Sequence, residues 1–122
     1  MPGDVVVQHE AQLADAVLTN ADPARSHLVR ADLRRIQAAG AHFDDTYLTG
    51  AEMEDADLKR ASLVRASLPG AILRGADLRQ AGLRDADFTG ADLTGADLTG
   101  AKNLSTAGFD GAVLKDTRGL PA

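Results

Sequence analysis

Large apolar residues recur at every fifth position along most of the chain. Counting in steps of five from Leu13 to Leu98 gives eighteen positions, and sixteen of them hold Leu, Phe or Met. The two exceptions are Pro23 and Ala38. Two residues before each position there is usually a small residue, which is Ala at every step from Ala51 to Ala101. A repeat of this regularity indicates a chain built from one five-residue unit.

A period of five fits neither a helix nor a simple strand. At about 100° per residue, a five-residue step scatters the large residues around all sides of a helix. We expect instead that each unit forms one short extended side followed by a corner. The large residue and the Ala two places before it would point inward, and the other three positions outward. Four sides would close a coil of twenty residues, and successive coils would stack as parallel strands about 4.8 Å apart.

The words ADLTG, ADLRQ, ADFTG and ADLKR resemble the A-(D/N)-L-x-x motif of the pentapeptide-repeat proteins. The resemblance implies an all-β fold, namely a right-handed quadrilateral parallel β-helix, with about five coils in a chain of this length. We expect residues 1–10 to form an N-terminal cap or strand, residues 11–114 the β-helix and residues 115–122 a C-terminal tail. A cap would cover the unpaired strand edges that the end of a solenoid exposes.

Two departures from the repeat test the inward assignment. Pro23 occupies a large position in the first coil, where it would remove a ladder hydrogen bond. Ile36 and Ala38 exchange the small and the large position, so the enclosed volume is nearly kept, and a packed core tolerates such exchanges. The compensation indicates that both positions are interior.

The phase of the repeat changes by one residue after Leu98. The next large residues keep the spacing of five but are displaced by one position. We therefore predict a one-residue bulge near Lys102 or Asn103. With this shift, Phe109 would stack on Phe88.

Residues twenty apart should form columns on the outside of the coil. In three columns the charge alternates in sign from coil to coil. Opposite charges about 5 Å apart stabilise a stack by a few tenths of a kcal/mol up to about 1 kcal/mol, so the alternation supports a twenty-residue coil. These columns are Arg25, Asp45, Arg65 and Asp85; Arg34, Glu54 and Arg74; and Asp15, Arg35 and Asp55.

Two further columns are mainly acidic, and we call them together the acidic ridge. It is the candidate partner-binding site. An alternative interpretation is structural, because an Asp directly after Ala can bond the nearby backbone at a corner. Lys59 and Arg79 would also partly neutralise the first column. The ridge consists of Asp57, Asp77 and Asp97 in one column, and of Asp32, Glu52 and Asp92 in the other, which Ile72 interrupts.

The family resemblance implies one specific use for such a ridge. Some pentapeptide-repeat proteins resemble duplex DNA in shape and charge, bind DNA gyrase, and protect or inhibit it. The alternative function is therefore a DNA-mimicking, gyrase-binding protein involved in antibiotic resistance. Length weighs against it, because about five coils span only about seven base pairs.

Catalysis is not expected. The chain has no Cys, and its histidines (His9, His27 and His42) are not spaced with a nucleophile or as clustered metal ligands. A filled solenoid also offers no deep cleft for a substrate. We predict no enzyme activity, no cofactor and no metal.

The remaining expectations concern partners and location. The net charge of −5 argues against direct nucleic-acid binding. No apolar run approaches the roughly 18 residues of a membrane span, and the start MPGDVVVQHE does not resemble a signal peptide. Abundant Ala, Gly and Arg hint at a bacterial source. We predict a cytoplasmic, non-catalytic interaction or scaffold protein that binds a protein partner of unknown identity, as a monomer or an end-to-end homodimer.

Overall fold

The computed structural model describes residues 10–121, and this part of the chain forms a ladder of parallel bridges. Each bridge joins residues twenty apart, from Gln12 with Asp32 to Gly82 with Lys102. In this range the extended positions are single bridged residues rather than longer strands, and the one helix is a 3-10 turn, Leu104–Thr106. The twenty-residue coil and its parallel stacking are therefore confirmed.

Each unit turns its corner at the fifth residue. From residue 10 to residue 100 every such residue has a positive φ, whether it is Gly70 (67°) or Arg65 (58°). The next alanine then donates to the carbonyl of the preceding large residue, as Ala16 N does to Leu13 O at 3.0 Å. A left-handed conformation costs a residue with a Cβ roughly 1–2 kcal/mol. The ladder bonds on both sides of the corner offset that cost and hold the turn.

The inward positions form one apolar core. The large and small residues of most units are fully buried, and Leu63 and Leu78 are both 0% exposed. Ile36 and Ala38 are also 0% exposed, so their exchange takes place inside the core. The inward assignment of both positions is confirmed.

The ladder is weaker beside Pro23, as predicted. Pro23 is buried at its inward position but has no amide hydrogen to donate. Among residues 10–121, Asp22 makes no bridge with His42, twenty residues further on. The Ser26 hydroxyl nearby is buried without a hydrogen-bond partner within the same range. This coil is therefore the least well paired of those described.

The register shifts by one residue after Lys102, close to the predicted bulge. Asp87 pairs with Gly108, which lies twenty-one residues further on rather than twenty. The extra residue is accommodated by Asn103, whose φ is 61°, and by the 3-10 turn Leu104–Thr106 that follows it.

The shift brings Phe109 against Phe88, as predicted. Their ring planes lie 3° apart and their centroids are 5.2 Å apart. A stacked aromatic pair contributes beyond the area that it buries, so it compensates for the irregular turn before it.

The ladder continues past residue 114. Arg118 pairs with Asp97, and its amide donates to Ala96 O at 2.9 Å. Leu120 is partly buried against the core. At the other end Glu10 already has the corner conformation, with a φ of 65°. The rest of the predicted cap, residues 1–9, lies outside the described residues.

Candidate partner-binding surface

Aspartate in the second position of a unit accepts a hydrogen bond from the backbone amide two residues later. Asp77 Oδ1, for example, accepts from Arg79 N at 3.1 Å. Each of these carboxylates therefore has a structural role at a corner, as the alternative interpretation held. The contact recurs at Asp22, Asp32, Asp57, Asp77, Asp87, Asp92 and Asp97.

The first column of the acidic ridge is a continuous stack in which cations lie between the carboxylates. Bridges join Asp57 to Asp77 and Asp77 to Asp97. Lys59 Nζ lies 3.3 Å from Asp57 Oδ2 and 3.9 Å from Asp77 Oδ2. Arg79 donates from Nε and Nη2 to the two oxygens of Asp77 at 2.9 and 2.8 Å, and these bonds lower the pKa of Asp77. The neutralisation predicted for Lys59 and Arg79 is confirmed.

Asp97, at the end of this column, is held by its own corner. Thr99 donates to Asp97 Oδ1 from its amide at 3.0 Å and from its hydroxyl at 2.6 Å. These bonds, followed by the charges of Arg118 and Arg79, lower the pKa of Asp97. Arg118 also lies directly after Asp97 in the ladder. The column therefore ends in a cation.

The second column follows the predicted order, but one of its members is almost fully covered. Bridges join Asp32 to Glu52, Glu52 to Ile72 and Ile72 to Asp92. Asp32 lies at its predicted place in the column but is only 7% exposed. Its corner and its ion pair cover the carboxylate, so Asp32 presents little surface to a partner.

Both aspartates of the second column are paired with arginines. Arg34 donates from Nε and Nη2 to the two oxygens of Asp32 at 2.8 and 2.7 Å, and lowers the pKa of Asp32 to about 2. Thr94 donates its hydroxyl to Asp92 Oδ1 at 2.6 Å, and Arg74 donates to Oδ2 at 2.5 Å. Thr94 first and then Arg74 lower the pKa of Asp92 to about 2. Both carboxylates are ionised at neutral pH, and each is compensated by a cation.

The predicted charge pairing between coils forms at two columns outside the ridge. Arg35 donates to both oxygens of Asp15 at 2.8 and 2.9 Å. Arg65 donates to both oxygens of Asp45 at 2.8 and 3.1 Å. In each pair the acid lies one coil before the arginine, so the twenty-residue spacing is read directly in the ion pairs.

The predicted column of Arg34, Glu54 and Arg74 does not form ion pairs between its own members. Arg34 binds Asp32 and Arg74 binds Asp92 instead. Glu54 Oε1 is buried and has no hydrogen-bond partner among residues 10–121. Pairing was expected only between residues twenty apart in one column, but the long arginine side chains reach carboxylates of the adjacent column.

Beside the first column of the ridge lies a pocket that the sequence patterns did not single out. It has a volume of about 100 Å³ and is lined by Lys59, Arg60, Arg79 and Gln80. The available signal was the pair of words ADLKR and ADLRQ twenty residues apart, which places these four side chains in two adjoining columns. We call it the cationic pocket.

The histidine and metal expectations concern other parts of the surface. His27 lies edge-on to Tyr47, with ring centroids 4.7 Å apart and planes 66° apart, which is a packing contact. Within residues 10–121 no group of three or more His, Asp or Glu residues is arranged to hold a metal ion. The absence of catalysis and of a cofactor stays a prediction.

Comparison with known families identifies the repeat. The family described as Pentapeptide repeats matches the chain in 8 copies, over residues 9–44, 26–63, 61–100 and 71–116. The chain belongs to the pentapeptide-repeat family. Its parallel ladder with a twenty-residue spacing is the β-helix that the family resemblance implied. No curated protein matches the chain.

Solved structures of other pentapeptide-repeat proteins are similar to this one. A protein from the thylakoid lumen of Arabidopsis thaliana is 27% identical with a TM-score of 0.61, over 85% of this chain and 58% of that one. The protein Rfr23 from the cyanobacterium Cyanothece 51142 is 29% identical with a TM-score of 0.50, over 78% of this chain and 57% of that one. The chain thus covers less than two thirds of the length of these pentapeptide-repeat proteins.

A third similar structure is that of a drug-resistance protein. A trypsin-treated variant of QnrB1, a plasmid-mediated fluoroquinolone resistance protein, is 17% identical with a TM-score of 0.52, over 88% of this chain and 59% of that one. At this identity the likeness concerns the fold alone. In the described residues no helix is long and apolar enough to cross a membrane. The cytoplasmic location stays a prediction, and one structural relative comes from a thylakoid lumen.

Proposed function

We propose that this protein is a non-catalytic interaction or scaffold protein that binds a protein partner through the outward side chains of its coils. The observation that supports this most is the fixed arrangement of charges on the acidic ridge. The Asp77 carboxylate is held by the Arg79 amide and guanidinium, and Lys59 lies between Asp57 and Asp77. Side chains already held in place lose little conformational entropy when a partner binds.

The proposed contact surface is the acidic ridge together with the cations that alternate with its carboxylates. Glu52 and Asp57 are half-buried, and Asp97 is fixed by Thr99, so all three can be reached by a partner without rearrangement. Asp32 would act mainly by orienting Arg34. The candidate residues of the ridge remain Asp32, Glu52, Asp57, Asp77, Asp92 and Asp97.

Several finer features belong to the same proposal. We infer a right-handed, four-sided coil with about five turns, from the family resemblance and from the length of the ladder. The protein would act as a monomer or as an end-to-end homodimer in the cytoplasm. The homodimer is supported by two apolar side chains near the C-terminal end of the ladder that a second copy could cover. Val113 is 47% exposed and Leu114 is 37% exposed.

The DNA-mimicking, gyrase-binding alternative receives less support from the ridge. Duplex DNA presents phosphates without intervening cations, and a mimic needs a comparable row of unpaired negative charge. Here Lys59 and Arg79 lie among the aspartates of one column, and Arg34 and Arg74 bind those of the other. The likeness to QnrB1 concerns the fold and does not separate the two functions.

A photo-crosslinking experiment tests the interaction proposal. A benzophenone amino acid replaces Glu52 on the ridge or, as a control, Ser67, which occupies the same position of its unit and is also half-buried. In the organism that encodes the chain, we expect a discrete crosslinked product from position 52 that excess unlabelled protein suppresses. Position 67 should give none. The absence of any saturable product from the ridge would contradict the proposal.

A further inference from the structure

We propose that the cationic pocket binds a carboxylate of an acidic segment on the partner protein. The pocket lies between two successive coils, and its volume is about 100 Å³. Lys59 and Arg60 come from one corner, and Arg79 and Gln80 from the corner twenty residues later. The inference rests on the proposed interaction function and adds to it the chemistry of the partner group.

The charges around the pocket leave one cation uncompensated. Two carboxylates adjoin it, and they are already engaged: Asp57 and Asp77 lie near Lys59, and Asp77 also binds Arg79. Within residues 10–121 the Arg60 guanidinium makes no hydrogen bond or ion pair. Three cations therefore face two acids, and the one without a carboxylate partner in this range, Arg60, lines the pocket.

Hydrogen-bond donors are also left over. Arg79 uses Nε and Nη2 for Asp77, which leaves the Nη1 donors available. The Gln80 amide adds further donors, and the whole guanidinium of Arg60 is available. A guanidinium presents parallel N–H groups that match the two oxygens of an oxyanion.

The balance of charge around the pocket fits a carboxylate as the bound group. Lys59, Arg60 and Arg79 exceed Asp57 and Asp77 by one positive charge, and a single carboxylate compensates that excess. The two coplanar oxygens of an Asp or Glu side chain also match the parallel N–H groups of the Arg60 guanidinium. The shallow, open shape also suits a side chain presented by a protein surface.

The proposal is tested by NMR titration of the ¹⁵N-labelled full chain at low salt. The probes are an acetylated and amidated Gly-Glu-Glu-Gly peptide, the matching Gly-Gln-Gln-Gly peptide and inorganic phosphate. We expect the Glu peptide to cause saturable shifts at the Arg60 and Gln80 amides, and the Gln peptide to cause none. Arg60→Gln should weaken Glu-peptide binding by roughly fivefold to tenfold. Arg84→Gln, the same charge change at an exposed residue on another part of the coil, should leave binding unchanged.

Three results would overturn the assignment. One is an equal loss of affinity in Arg60→Gln and Arg84→Gln, which would indicate attraction by overall charge. Another is saturable binding of phosphate at the pocket with no response to the Glu peptide. The last is no localised shift with either anion. The crosslinking experiment at position 52 distinguishes failure of the pocket assignment from failure of the proposed interaction function. If a saturable crosslinked product forms but the Glu peptide does not bind, only the pocket assignment is wrong. If the Glu peptide binds but no saturable crosslinked product forms, the interaction function is wrong.

Discussion

Arg79 binds both carboxylate oxygens of Asp77, which lies only two residues earlier in the chain. The Arg79 amide also donates to Asp77 Oδ1 at 3.1 Å, so the backbone and the side chain of Arg79 hold the same carboxylate at this corner. Lys59 reaches the same carboxylate from the preceding coil at 3.9 Å. A column that is uniformly acidic in its second positions is therefore an array of ion pairs in three dimensions.

This array predicts the behaviour of the protein towards gyrase. Purified chain at micromolar concentration should leave DNA supercoiling by gyrase unchanged, because the aspartates are neutralised locally. The matched variant combines Asp57→Asn, Asp77→Asn and Asp97→Asn, in which each side chain keeps an oxygen for its corner bond. If the parent chain inhibited supercoiling by gyrase and the triple Asn variant did not, the DNA-mimicry interpretation would be supported instead.

The corner role of aspartate predicts a difference between two substitutions at Asp87. Asp87→Ala removes the acceptor for the Thr89 amide and hydroxyl and should destabilise by about 1 kcal/mol. Asp87→Asn retains an acceptor oxygen and should cost clearly less. Asp110→Ala, at an exposed position that accepts no such bond within residues 10–121, is the control. Equal unfolding free energies for both Asp87 variants in urea would argue against the corner role.

The lowered pKa values of Asp32 and Asp92 predict acid sensitivity. A carboxyl whose pKa is lower in the folded state stabilises the fold above its unfolded value of roughly 4, and this contribution is lost as the pH falls towards the folded value. Both folded pKa values are about 2. The melting temperature should therefore fall between about pH 4 and pH 2.

The control for this pH dependence is Asp92→Asn. It removes the titrating group that Thr94 and Arg74 bind, so its melting temperature should fall less steeply over the same range than that of the parent. A parent and variant with parallel profiles would show that Asp92 is not responsible.

The inward assignment predicts a severe effect at Leu63. This side chain is 0% exposed, and Leu63→Asp would bury a carboxylate without a partner. The cost should be several kcal/mol. Arg84→Asp places the same side chain at an exposed position and should change the unfolding free energy little. If Leu63→Asp melted like the parent, the core assignment would be wrong.

Gly119 and Gly70 predict two different consequences of adding a methyl group. Both have positive φ, so alanine is strained at either position, by roughly 1–2 kcal/mol. At Gly70 the new Cβ would meet nothing within 4 Å, whereas at Gly119 it would collide with the backbone of Leu98 and Thr99. Gly119→Ala should therefore detach the end of the ladder.

Amide hydrogen exchange at Arg118 measures this detachment. The Arg118 amide donates to Ala96 O in the folded ladder, so its protection should be lost in Gly119→Ala and kept in Gly70→Ala. Retained protection in both variants would show that the chain does not approach Leu98 closely in solution.

Much of the fold could be predicted from the sequence, for a physical reason. In a solenoid each unit contacts its neighbours in the same way, so a spacing along the chain becomes a spacing in space. The fivefold recurrence of Leu therefore predicted the buried Leu63 and Leu78, and the displaced phase predicted the stacking of Phe109 on Phe88. The order of residues within each column of the ridge followed from the same spacing.

The tertiary structure alone decided which charges are paired and which remain available. The columns give the position of a Cα atom, but a long arginine can turn towards its own unit, as at Arg34, or towards the next coil, as at Arg74. Competition between nearby carboxylates decides which it does, and this left Glu54 without the predicted partners. Among residues 10–121 Arg60 is left without a carboxylate partner beside Gln80, and the cationic pocket forms only when the coil brings the two corners together.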